Sequence, residues 1–177
     1  AALAAVDARR AVELYRALLA APGGEDDASL QAGLGAALLA DGDPNGAAAA
    51  LRVAVRIAPT PARHAALAEA LLGAVREALA GGPVISAQVT PLLKDALDAI
   101  GAAHAAALPD ATVRRLLAVE GEVRWILGDA AGARKALSDP RLGTDAAAAD
   151  LLARVCWAEG DFVAAGAAWT AAGNPRG

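Results

Sequence analysis

The sequence predicts an all-α chain built from pairs of antiparallel helices, and three observations predict it. The chain is 56% hydrophobic but only 3% aromatic, with alanine supplying most of the apolar count and β-branched runs nearly absent. Alanine has the best helix propensity and is thin enough for helix axes to approach closely. The dipeptide Gly-Asp recurs as Gly42-Asp43, Gly128-Asp129 and Gly160-Asp161, each time between an apolar segment and an alanine-rich one. Helix-start signals such as Asp43-Pro44 and Thr60-Pro61 punctuate the chain, proline being favoured at the first helical position. Neither helix of such a pair buries its apolar stripe alone, so neighbouring pairs must stack. About 8–9 helices are expected in one domain over residues 1–177.

Residues 1–21 read as one helix, stopped by Pro22-Gly23-Gly24. The acidic run Glu25-Asp26-Asp27 then flanks the positive end of a helix over 28–41, more simply a solvated helix start than a metal site. Asp43 is the expected N-cap of the next helix, 44–58. Thr60-Pro61 opens a helix to about residue 80, Gly81 begins a loop to residue 90, and Thr90-Pro91 opens another helix to about Leu108. Pro109-Asp110 is expected to cap a helix over 111–127. The helix after Asp129 is short, because Asp139-Pro140 and Gly143-Thr144 interrupt it. The last pair starts near Asp145 and turns at Gly160-Asp161.

Within 28–61 the order is Leu34-Gly35, Leu38, Ala47, Leu51, Ala54 and Pro59. This resembles the tetratricopeptide repeat, a pattern of about 34 residues running W-x2-L-G-x2-Y, then A-x3-F, then A and P. Gln31 stands at the Trp place and leucines at both aromatic places. The resemblance covers 28–61, 114–138 and 146–173 clearly, and 61–108 as a divergent unit with an enlarged connection. Units of about 1–22 (partial), 28–61, 61–108, 110–143 and 145–177 follow. The resemblance implies a right-handed superhelix, an α-solenoid, whose first helices line a concave groove. Ala11 and Tyr15 match a second helix, so residues 1–22 are either the remnant of a longer native chain or an N-terminal cap. After Trp169 too little sequence remains for a solvating helix, so the last unit is expected to be covered by more chain, a partner or a second copy.

Composition narrows the function classes. Net charge is −4, from 16 basic and 20 acidic residues. Arg9-Arg10 and Arg114-Arg115 are isolated pairs, which argues against nucleic acid, where clustered cations are needed. No charge-free apolar run is long enough to span a bilayer. Cys156 has no second cysteine to pair with. No leader and no initiator Met are visible, which suggests a processed or trimmed piece. The excess of Arg over Lys and the heavy alanine usage fit a bacterium of high genomic G+C, and a soluble protein, cytoplasmic or exported, is expected.

Catalytic signatures are missing: there is no G-x-x-x-x-G-K-[ST], G-x-S-x-G, H-E-x-x-H or C-x-x-C. His64 and His104 lack neighbours at metal-ligand spacing, so no metal and no cofactor are expected. Asp95 and Asp98 share a helix face, read as a solvated face, and Cys156 falls at a packing place. Glu120 and Arg124 stand where the repeat usually has large apolar residues, so either that helix is rotated or one of its faces is polar. Trp125 and Trp157 each precede their Gly-Asp turn by three residues and fall one place past the packing position, towards the groove that the resemblance implies. Glu122, Asp150, Arg154 and Glu69 share that register. Tryptophan and arginine are typical interface hot spots. The expected function is a non-enzymatic scaffold that binds a partner peptide or helix, apolar or amphipathic, with self-association through open repeat ends as a further option. The alternative is a regulatory or assembly segment of a larger multidomain protein, and flanking domains in the full reading frame would separate the two.

Overall fold

In the computed structural model, residues 2–81, 86–105 and 107–173 are described. They contain α1 (Ala2–Ala20), α2 (Ala28–Asp41), α3 (Pro44–Ile57), α4 (Pro61–Ala80), α5 (Ser86–His104), α6 (Asp110–Ile126), α7 (Ala130–Leu137), a 3-10 turn (Pro140–Leu142), α8 (Ala146–Ala158) and α9 (Phe162–Ala171). No strand occurs among the described residues. The chain falls into two compact units, Ala1–Leu108 and Pro109–Gly177. Within each unit, helices adjacent in sequence pack on one another as antiparallel neighbours, the stacking of an α-solenoid.

The three Gly-Asp turns are built alike. Gly42, Gly128 and Gly160 adopt φ of 85°, 83° and 81°, the left-handed region where a side chain is strained. The following Asp43, Asp129 and Asp161 donate their backbone N–H to the carbonyls of Leu38, Arg124 and Cys156, each at 2.9 Å. Each Asp then caps the next helix by accepting the backbone N–H of Gly46, Gly132 or Ala164. One local solution therefore closes one helix and opens the next three times over.

The same repetition reaches the core. A Cβ on Gly35 would stand 2.6 Å from Leu51 Cγ, and one on Gly121 would stand 2.5 Å from Leu137 Cγ. Glycine on the first helix thus receives leucine from the second in both units. Ala47, Ala54, Ala133 and Ala165 are fully buried at the crossings, as their places in the repeat predict. Leu51 in α3 with Leu71 and Leu72 in α4 in the first unit, and Leu116 in α6 in the second, are the large residues around which the alanines close.

Two expected boundaries move. The helix expected to open at Thr90-Pro91 and reach about Leu108 begins instead at Ser86 and ends at His104. Pro91 lies inside it, with one backbone hydrogen bond forgone near the N-terminus. Val89 is buried one turn ahead of Leu93 and two ahead of Ala96, so the apolar stripe extends the helix backwards past the proline. Residues 82–85 of the expected 81–90 loop lie outside the described residues. Asp110 does not cap its helix by a side-chain hydrogen bond; it is the first helical residue, and Pro109 takes the cap position. Its carboxylate still sits in the first turn, where the helix dipole favours it.

Candidate interaction surface

The second unit carries a cluster of exposed rings. Trp157, in the last turn of α8, packs edge-on against Phe162 with ring centroids 4.7 Å apart, and lies 5.7 Å from Trp169. Trp157 and Phe162 remain 56% and 59% exposed, and Val163 beside them is 86% exposed. Aromatic pairs at these separations contribute attraction beyond their buried area, so the rings hold one another in place while leaving faces to solvent.

The equivalent place in the first unit is contacted by another helix. Register from the turns places Phe162 and Val163 opposite Pro44 and Asn45. There α4 packs over the start of α3: a Cβ on Gly73 would stand 2.8 Å from Pro44 Cβ, and Asn45 Nδ2 donates to Glu77 Oε2 at 2.7 Å. A place that receives a helix in the first unit is thus aromatic and exposed in the second.

Ion pairs surround the cluster. Arg134 of α7 donates to Glu159 Oε2 at 3.0 Å and to Asp161 Oδ2 at 2.6 Å, tying α7 to the turn between α8 and α9. Asp161, and secondarily Glu159, raises the Arg134 pKa, and in return Arg134, with the Ala164 N–H, holds the Asp161 carboxyl below its ordinary value. Asp129 is lowered first by the Gly132 N–H and then by Arg124, and Asp139 is lowered to about 2, first by the Arg141 side chain. A carboxyl depressed in the folded state stabilises the fold fully above its unfolded pKa, about 3.9, and loses that contribution as pH falls towards the folded value. Hydrogen-exchange protection of α7 and α9 amides is therefore expected to hold steady from about pH 7 to 5 and to decline below about pH 4. Because these groups are solvent-screened, added salt should shrink the effect, and Asp139→Asn should remove the part of it that extends towards pH 2.

The expected site residues are placed as follows. Trp157 is exposed, and Trp125, at the equivalent place on α6, is half-buried. Arg154 pairs with Asp150 at 2.6 Å on α8, one turn apart. Glu122 is half-buried on α6, and Glu69 is half-buried on α4 of the first unit. The second unit therefore holds five of the six, and Glu69 belongs to the other unit. The polar places Glu120 and Arg124 are resolved without rotating α6, because Gly121 keeps its packing against Leu137. Arg124 instead bridges Glu120 at 2.9 Å and Asp129 at 2.7 Å, so one face of α6 is polar and paired both along the helix and with the turn that follows it.

Phe162 and Trp169 were not expected to join Trp157. The available signal was that the chain's one phenylalanine directly follows a turn Asp, where other units carry Pro44 and Ala130. Cys156 is buried, and burial pushes its thiol pKa up, away from the thiolate a nucleophile needs. His104 is exposed, whereas His64 is half-buried and lines a shallow cleft with Arg52, Asp95 and Asp98. Among the described residues no group of His, Cys, Asp and Glu is arranged to hold a metal, and no helix is long and apolar enough to cross a membrane.

No family model matches the chain, and no curated protein matches it. A solved structure does: a thermophilic tetratricopeptide-repeat protein of Thermus thermophilus superposes with a TM-score of 0.62 at 20% identity, over 93% of this chain and 81% of that one. With the thrice-repeated turn and the twice-repeated glycine–leucine contact, this establishes that the chain has the tetratricopeptide-repeat fold.

Proposed function

We propose that the protein is a non-enzymatic interaction scaffold whose second unit binds an apolar or amphipathic segment of a partner protein, with Trp157 as the anchor. The supporting observation is the ring cluster of Trp157, Phe162 and Trp169, in which Trp157 and Phe162 are exposed and the half-buried Trp169 backs Trp157. Rigid aromatic surface lowers the entropic cost of binding, and tryptophan and arginine recur among interface hot spots. Trp125 supplies the equivalent place on α6, while Glu122, Asp150 and Arg154 set the polarity of the rim. In the first unit the place on α4 that matches Glu122 and Arg154 belongs to Glu69.

Trp157→Ala tests the proposal. Loss of its ring contacts should lower stability by only about 1–2 kcal/mol, leaving the chain helical. Amphipathic helical peptides selected from a displayed library against the wild type should lose at least about tenfold affinity in calorimetry. Arg141→Ala, at the 3-10 turn, should keep full affinity. Peptides that bind both variants alike would place the partner surface elsewhere. A pull-down from the native host with wild type and a Trp125/Trp157 double variant extends the test to natural partners.

The bare surface at Phe162 and Val163 favours a second reading, an assembly or regulatory segment. Another helix, from a second copy or from a larger polypeptide, would stack on α9 as α4 stacks on α3. Sedimentation equilibrium at high concentration separates these sources: a persistent monomer argues against self-association.

A further inference from the structure

The first unit carries a second feature, on the side where α3, α4 and α5 meet. His64 lies in the first turn of α4 and stands where the repeat pattern has its tryptophan: His64, Leu67, Ala68 and Leu71 follow W-x2-L-G-x2-Y. An indole there would fill the space between the neighbouring second helices. The imidazole leaves a cleft of about 230 Å³, lined by Arg52, His64, Leu67, Asp95, Asp98 and Ala99. His64 Nδ1 is shielded from solvent and has no hydrogen-bond partner among the described residues. A buried polar atom left unpaired is costly.

The charges define what fits. Arg52 reaches across from α3 to α5 and bonds Asp95 Oδ2 at 2.7 Å, which neutralises both. Asp98, one turn further along α5, lines the same cleft as a carboxylate in excess. An anion would have to compete with Asp95 for Arg52 while facing Asp98. A cation meets Asp98 directly. Leu67 and Ala99 supply apolar contact for the stem that carries such a cation. We infer that this cleft receives a basic side chain, arginine or lysine, from a protein partner, as a contact surface separate from the Trp157 cluster.

The probes are N-acetyl-arginine N-methylamide, its neutral norleucine counterpart, N-acetyl-aspartate and free agmatine, each titrated against the full chain by NMR. The expected result is that the arginine amide shifts the His64 ring protons together with the Leu67 and Ala99 methyl signals. Norleucine and the aspartate should leave them unmoved. Asp98→Asn, at an exposed position whose change leaves the fold intact, should weaken the arginine response by about threefold, the size set by a solvent-screened pair. His64→Trp should fill the cleft and abolish the response while the circular dichroism of the chain is unchanged. An equal response to norleucine, a stronger one to the aspartate, or none at all would overturn the inference. Agmatine binding more tightly than the arginine amide would also overturn it, since the site would then suit a small free cation rather than a side chain borne on a backbone.

Discussion

Gly35→Ala is expected to destabilise the first unit, although alanine is the better helix former by about 1 kcal/mol. The added methyl would stand 2.6 Å from Leu51 Cγ and 3.1 Å from both of its Cδ atoms. Leu51 is 1% exposed, and the atom crowded is its branch point rather than a free end. Overpacking of this kind costs about 1–3 kcal/mol, which exceeds the propensity gain over most of that range. The diagnostic result is a change of sign. With Leu51→Ala already in place the clash is gone, so adding Gly35→Ala should then stabilise by about 1 kcal/mol. Urea unfolding of the two single variants and the double variant measures this cycle. Additive effects would mean that the α2–α3 crossing relaxes freely. Gly121 and Leu137 should reproduce the result in the second unit, because an added methyl there would stand 2.5 Å from Leu137 Cγ and 2.6 Å from its Cδ2.

Leu71→Ala is expected to cost about 2–5 kcal/mol, the range for removing a large buried aliphatic side chain. Leu71 is fully buried in the middle of α4, the helix that packs against both α3 and α5. Its loss leaves a cavity that three helices would have to close together. The α4 stripe offers the control: Leu79, on the same helix, is largely exposed, and Leu79→Ala should change stability by no more than about 0.5 kcal/mol. Denaturant unfolding gives the magnitude, and hydrogen exchange locates it. Protection should fall across α3, α4 and α5 for Leu71→Ala and stay level for Leu79→Ala.

Much of the fold was legible because its signals are local. A glycine followed by a capping aspartate closes and opens helices whatever lies beyond them, so Gly42, Gly128 and Gly160 could be read directly. The start of α5 was misplaced for the opposite reason. Pro91 is a strong local break, but burial of Val89 against the rest of the unit outweighs it. Glu120 and Arg124 were ambiguous until the third partner, Asp129, was seen to share the guanidinium. The interaction surface was only partly legible. Register placed Trp157 one step past the packing position, but its contact with Phe162 depends on how α9 leaves the turn. The cleft at His64 was hidden more deeply, since Arg52 and Asp95 lie far apart in sequence and meet only when α3 and α5 are stacked.

More than half of the buried apolar side chains described are alanines. Alanine has no rotamers to lose, so this interior is assembled against less side-chain conformational entropy than a leucine-rich one. Most interior positions have little left to truncate and little room to grow. Tolerance to mutation should accordingly be lopsided: shrinking substitutions matter chiefly at the buried leucines and valines, whereas almost any enlargement along the alanine crossings should be disruptive. A chain built this way can vary its exposed faces freely while its interior stays confined to a very small alphabet.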